Sequence, residues 1–205
     1  NELGQQRGSF VPTKTNRSPE RHWLVLGGTV SIGEMKMYVL KSLSLSDGRD
    51  IYEMLQEIGS NENGFHNKVN GMSFSQFKDW LAKEYAVDNG ELEAWMVPQS
   101  SYWMYDGAIP VGYGRIRHCL NEALREQGGH IGYAIARSKR GRGYGNAILA
   151  LLIQECRRKG IDELQISAHD DNVLSNKVIL KNGGVFIRQA HGKRFYAVDL
   201  RHNPP

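Results

Sequence analysis

Residues Arg140, Gly141, Arg142, Gly143, Tyr144 and Gly145 set three glycines and two arginines immediately before a long segment with a wide apolar face. Without Cβ atoms at Gly141, Gly143 and Gly145, phosphate oxygens can reach the backbone, and a helix N-terminus supplies unpaired N–H groups and the positive end of its dipole. Arg140 and Arg142 add cationic side chains. The chemistry indicated is the binding of a phosphate-bearing ligand. No Gly-Lys-Ser/Thr follows, so this is not a Walker loop, and the G-x-G-x-x-G of a dinucleotide fold is also absent. Taken alone, the tract is equally an ordinary strand-to-helix turn beside a solvated basic patch at Arg137, Lys139, Arg140 and Arg142.

Such a cradle needs a strand before it and a helix after it. His130 to Ala136, released by Gly128 and Gly129, reads as the fourth strand. Gly145 to Lys159 reads as a helix striped by Ile148, Leu149, Leu151, Leu152, Ile153 and Cys156. That helix closes on Arg157, Arg158 and Lys159, whose charges suit the negative dipole end, and on Gly160. Upstream, Tyr38 to Leu45 alternates as a first strand. Ser46 to Ile58, capped by Ser46 or Asp47, and Ser73 to Tyr85 carry apolar residues at helical spacing. The Asn- and Gly-rich stretch Gly59 to Gly71 between them reads as loop, where substrate selection could reside. Ser101 to Tyr105 and Ile109 to Arg117 form a hairpin about Asp106-Gly107. Asn121 to Gln127 is a short helix or loop. Downstream come a strand at Glu163 to Ala168, a helix at Asn172 to Lys181 ended by Gly183, and strands at Val185 to Ile187 and Phe195 to Leu200.

With 205 residues and 40% hydrophobic content, the chain can bury its own core. The net charge of +4 and pI near 9.0 favour anionic partners without choosing among them. Glycine, at 23 residues, is about 11% of the chain against a usual ~7%, and its clusters mark turns. The longest apolar run, Ala147 to Ile153, is far shorter than the ~20 residues of a membrane span, and no secretory signal is visible. The chain reads as soluble, cytoplasmic and not membrane-associated. Cys119 and Cys156 lack metal-ligand or redox spacing and read as small buried hydrophobes.

The pattern Arg140-x-x-Gly143-x-Gly145 resembles the [RQ]-x-x-G-x-[GA] signature of the GNAT acyltransferases. Asn172, Ser175 and Asn176, followed by Lys181-Asn182-Gly183-Gly184, are similar to the family's N-x-x-[AS] helix and its glycine turn. His130-Ile131-Gly132-Tyr133 is similar to the E-I-G-Y strand of the ribosomal-protein alanine acetyltransferase branch. The resemblance spans about Met37 to Leu200. It implies an α/β (α+β) GNAT fold: a mostly antiparallel sheet of six to seven strands, splayed between the fourth and fifth and flanked by helices.

What the resemblance implies for the site can be set down residue by residue. Backbone amides at Arg140 to Gly145 would hold the pyrophosphate of coenzyme A, and backbone groups around Ala134, Ile135 and Ala136 would pair with the pantetheine arm. Asn172, with Asn176 as a further contact, would hydrogen-bond that arm. His130 stands where related sequences carry a glutamate base, so it is the candidate base, with His118 next; the blander reading is a hydrogen-bonded strand residue. The family's tyrosine seven residues after the Asn is replaced by Ile179, so Ser175 is the candidate proton donor to the departing thiolate, with Tyr196 or water as substitutes. Trp80, Trp95, Trp103, Tyr102 and Tyr105 read as core more readily than as an acceptor pocket.

The implied activity is transfer of acetyl from acetyl-CoA, without a metal, to a primary amine by direct attack in a ternary complex. The amine belongs to a small molecule or to a protein or peptide, and a homodimer is compatible with the family. The alternative is an acyl-CoA-binding module without turnover, to which the missing tyrosine lends weight. Nucleic acid is disfavoured because the basic loop runs into an apolar helix. Residues 1–36 read as an N-terminal extension, non-native or flexible, before a catalytic domain over 37–205. Ile32, Gly33 and Glu34 are compatible with a ribosome-binding-like coding sequence ahead of Met37. Sequencing the native N-terminus is expected to find a start at Met35 or Met37; a start near residue 1 would defeat this boundary.

Overall fold

The computed structural model describes residues 22–25 and 37–201. Strands β1 (His22–Val25), β2 (Met37–Ser42), β5 (Gln99–Asp106), β6 (Ile109–Arg117) and β7 (Ile131–Ile135) form one antiparallel sheet in the order β1-β2-β5-β6-β7. Strands β8 (Glu163–His169), β9 (Val185–Ala190) and β10 (Lys193–Asp199) form a second, in the order β8-β10-β9. The strands are therefore divided between β7 and β8, the fourth and fifth strands of the sequence reading, where the splay was expected. Around β7 and β8 lie α4 (Tyr144–Arg158) and α5 (Val173–Lys181) on one face. Helices α1 (Arg49–Gln56) and α2 (Phe74–Asp88) cover the other face. A short α3 (Glu122–Gln127), capped by Asn121, precedes β7.

The alternation of β6 and β7 sorts their side chains between two cores. Ile116, Ile131 and Ile135 join the stripe of α4, whose Ile148, Leu151 and Leu152 are fully buried. Tyr113, Ala134 and Ala136 face the helical layer of α1 and α2, with Trp80 and Trp103. Gly114 lets α4 pack this closely, because a Cβ there would stand 2.8 Å from a methyl of Leu152.

Several expectations shift in detail. Helix α1 starts after Gly48 without a side-chain cap, since the Asp47 carboxylate instead accepts from Ser44 N at 2.8 Å and Trp103 Nε1 at 2.6 Å. Helix α2 is capped as its sequence indicates, with Ser73 and Gln76 forming a reciprocal capping box. The stretch read wholly as loop contains a two-residue hairpin, β3 (Asn61–Glu62) and β4 (Phe65–His66), turned at Asn63 (φ 53°) and Gly64 (φ 79°). An Asn-Gly pair with positive φ at both positions is a hairpin signal even inside an otherwise irregular stretch. β1 lies where the sequence offers only a short apolar patch. Cys156 is buried as expected, whereas Cys119 is exposed. Of the aromatic set, Trp80, Trp103, Tyr102 and Tyr105 are core, but Trp95 is two-thirds exposed and donates to Glu93.

Where β7 meets β8, Gly129 has no room for a side chain: a Cβ would lie 2.5 Å from the Gln165 carbonyl oxygen. Gly129→Ala is expected to wedge the two strands apart and to destabilise the fold by about 1–3 kcal/mol. Urea unfolding measures it, and an unchanged midpoint would show that the strands tolerate the wedge.

Candidate active site

The separation of β7 from β8 begins at one clasp. His130 N donates to Gln165 O at 2.8 Å, and Gln165 N donates back to His130 Nδ1 at 3.0 Å. Beyond it the backbone of β7 alternates. Ala136 N donates to Val111 O at 3.0 Å and Arg117 N to His130 O at 2.8 Å, so even-numbered positions bond to β6, and Ile131, Tyr133 and Ile135 turn toward β8. The same alternation turns Ser167 and His169 toward β7. A slot lined by backbone amides runs between the strands. At its mouth the Ile135 carbonyl accepts from Arg140 Nε at 3.1 Å, and the His169 carbonyl accepts from Asn172 N at 3.0 Å and Asn176 Nδ2 at 2.9 Å.

Beyond the mouth lies the glycine-rich turn. Gly141 (φ 75°) and Gly143 (φ 85°) adopt left-handed conformations, and a Cβ at either would meet nothing within 4 Å. Gly143 serves as N-cap of α4. Among the described residues, the five successive backbone N–H groups of residues 141–145 donate to no protein acceptor. Unpaired amides at a helix start, with open space before them, form an anion cradle. Gly145 plays a different part from the other two glycines, for its absent Cβ faces Val178 and Tyr133 inside the fold. The side chain of Tyr144 is also turned inward. Its hydroxyl donates to Asp106 at 2.5 Å, and that hydrogen bond, helped by burial, pushes its pKa up to about 12.

The β3–β4 hairpin roofs the slot on the α1–α2 side. Phe65 packs edge-on against Tyr113 at 5.1 Å and stands over Gly132 of β7, while Gly64 abuts His169 of β8. The hairpin is held at its base by Asn67, whose Nδ2 donates to Leu55 O and Ile58 O, each at 2.7 Å. At its side the Glu62 carboxylate accepts from both terminal nitrogens of Arg140, which holds the carboxyl below its ordinary pKa. Across β6 from Gly132, Arg115 is paired with Glu84 at 3.0 Å and with the Tyr113 hydroxyl. Beside that pair, burial pushes the Asp88 carboxyl up to about 6.

The candidate residues divide accordingly. Arg140 is committed to Ile135 and Glu62 and positions the turn, whereas Arg142 is exposed beside it. Of Ala134, Ile135 and Ala136, only Ile135 turns its backbone to the slot; strand parity, not legible in sequence, sends the other two to β6. Asn172 caps α5 through Oδ1 to Ser175 N at 3.1 Å. Asn176 is a correction: it is buried, both Nδ2 hydrogens are spent on His169 O and Asn172 O, and its Oδ1 accepts from Tyr196, so it keeps no donor for a ligand. Tyr196, in that bond, is likewise core. His118 follows the end of β6 and is tied to Ser100 at 2.9 Å. Ile179 is fully buried.

His130 is brought to the apex of the slot but not as a base. A backbone N–H fills its Nδ1 lone pair, so the neutral ring carries its proton on Nε2 and has no lone pair to offer. Burial, followed by the charges of Arg125 and Arg117, lowers its pKa. Sequence reasoning missed Tyr133, Phe65, His169 and Glu62. The Asn63-Gly64 pair could have revealed the hairpin, but nothing in the sequence tells where it lands.

Among the described residues, no helix is long and apolar enough to cross a membrane, and no cluster of three His, Cys, Asp or Glu residues could hold a metal. A family model described as acetyltransferase (GNAT) domain matches residues 38–185. Among solved structures, the ribosomal-protein alpha-N-acetyltransferase RimL in complex with coenzyme A superposes with a TM-score of 0.61 at 14% identity, covering 81% of this chain and 96% of that one. The microcin C7 self-immunity acetyltransferase MccE in complex with acetyl-CoA and AMP gives 0.59 at 15% identity, with 80% and 92% covered. A ribosomal-protein-S5-alanine acetyltransferase from Vibrio fischeri gives 0.57 at 14%, with 82% and 96% covered. Identities this low establish the fold alone. A comparison with curated proteins returned no significant match.

A His130 held neutral makes stability depend on pH. Its folded-state pKa lies below the unfolded value of ~6.5, so its contribution is fully present above about pH 6.5 and is lost as pH falls toward the folded value. His130→Asn, which can still accept from Gln165 N but cannot titrate, is expected to lose less melting temperature than the wild type between about pH 7.5 and about pH 5.5. An equal loss in both would mean that the ring is not held neutral.

Proposed function

We propose that this chain, which belongs to the acetyltransferase (GNAT) domain family, is an N-acetyltransferase that moves acetyl from acetyl-CoA to a primary amine. The observation that carries this reading is the run of five acceptor-less amides at residues 141–145, aligned with the mouth of a backbone-lined slot. The cradle suits a pyrophosphate: Gly141 and Gly143 leave it unobstructed, and Arg142 supplies exposed charge. The slot suits pantetheine, whose two amides find partners on Ile131, Tyr133, Ile135 and Ser167 in place of a missing neighbouring strand. The half-buried Asn172 stands beside it and keeps its amide N–H groups for the arm.

When bound, acetyl-CoA supplies a thioester at the inner end of the slot. An unpaired N–H of β7 stabilises the oxyanion of the attacked carbonyl, an interaction typically worth ~3 kcal/mol. The clasp at His130 and Gln165 sets the width of the slot, and Phe65 with the hairpin excludes water from its roof. Because the apical imidazole is committed to Gln165, the acceptor ammonium loses its proton to water. The ribosomal-protein acetyltransferases among the structural neighbours support a protein or peptide amine as the acceptor class. Residues 37–205 would form the catalytic domain.

Isothermal titration of the purified protein with acetyl-CoA, with 3′-dephospho-CoA and with a Gly143→Glu variant tests the cradle. Micromolar binding by the wild type, weakened at least about 100-fold in the variant by the acidic side chain and the strained φ, is expected. Absence of acetyl-CoA binding by the folded wild type would overturn the assignment. Binding without turnover across an amine-acceptor screen would favour a non-catalytic acyl-CoA-binding module.

A further inference from the structure

Helix α5 follows β8, and Tyr133 belongs to β7, so a contact between them spans the slot. One such contact is present: the Tyr133 hydroxyl lies 3.3 Å from Ser175 Oγ. On β7 the odd-numbered side chains point to the α4–α5 face, opposite the Phe65 roof, and Tyr133 packs against that core beside Gly145. The pair therefore forms the floor of the slot, as the hairpin forms its roof. The position where related helices carry a phenol, Ile179, is fully buried in the core. A phenol is present all the same, delivered from the strand.

We propose that Tyr133 is a catalytic residue, the hydroxyl that protonates the departing thiolate sulfur of coenzyme A, with Ser175 as its relay. This rests on the coenzyme A reading above. Among the described residues, neither hydroxyl has another hydrogen-bond partner. Two hydroxyls bonded to each other use one O–H between them, and the second O–H is left for a ligand whichever way the first points. Ser175 stands in the first turn of α5, where the positive dipole end favours a developing anion. Burial raises the pKa of Tyr133, so the phenol keeps its proton throughout the neutral range.

The proton balance closes without a further reactant. The acceptor nitrogen forms a bond to the acyl carbon and the C–S bond breaks. The sulfur electron pair takes the Tyr133 proton, the phenolate regains one through Ser175 from water, and the acceptor nitrogen releases its surplus proton to water. The net change is one proton moved from amine to thiol.

The test uses coenzyme A itself and needs no acceptor. The pKa of the bound thiol is read from the ultraviolet absorbance of its thiolate as pH is raised, or from its alkylation rate. In the wild-type complex it is expected to lie about one unit below that of free coenzyme A, a tenfold rise in thiolate fraction. Tyr133→Phe, which keeps the ring and its packing, is expected to return it to the free value with coenzyme A affinity within about threefold, and Ser175→Ala to return it in part. A bound thiol with the free pKa, or one equally shifted in Tyr133→Phe, overturns the proposal while leaving the coenzyme A site standing. Failure of the wild type to bind coenzyme A overturns both.

Discussion

The structure depends on two strands that are clasped at one point and kept apart thereafter. Buried backbone N–H and C=O groups are ordinarily paired, and leaving several unpaired along a strand would cost more than a small domain can spare. The clasp at His130 and Gln165 fixes the separation at its narrow end, where Gly129 permits a closeness that any side chain would prevent. At the wide end, Arg140 and Asn176 satisfy the two carbonyls nearest the mouth. What is left between is a short row of amides that a strand-like ligand could complete, as the proposed coenzyme A reading requires.

Each layer around the slot follows from that separation. Helix α4 anchors the β7 side through its apolar stripe, and α5 anchors the β8 side through Asn176 and its bond to Tyr196. Since the two halves share little backbone bonding, side chains must span the gap. The hairpin does so above, with Phe65 on β7 and Gly64 against β8, and Tyr133 with Ser175 does so below. The Glu62–Arg140 pair then links the roof to the glycine-rich turn. Because both partners are partly exposed, its role is to hold position more than to add stability.

Electrostatics divides along the same lines. The cradle is built mainly from backbone dipoles, with Arg142 as its exposed cation, whereas Arg140 is occupied within the protein. Between α2 and β6, Glu84, Asp88 and Arg115 form a partly buried group in which one guanidinium faces two carboxylates. His130, between the two regions, is kept neutral by burial and by neighbouring arginines, which suits a structural clasp and works against proton abstraction.

Local physics was legible in the sequence. The glycine-rich turn before α4, the stripe of α4 and the order of strands all rest on the properties of residues near one another in the chain, and with them the class of ligand could be read. Which amides of β7 are free could not, since parity is decided by pairing with β6, and so Ala134 and Ala136 fall away while Ile131 and Tyr133 enter. Nor could the sequence reveal that Asn176 is consumed by its neighbours, that the Nδ1 of His130 is filled by an amide 35 residues away, or that a phenol reaches Ser175 from another strand. Those outcomes depend on hydrogen bonds between distant segments, and only the folded chain brings their donors and acceptors within reach.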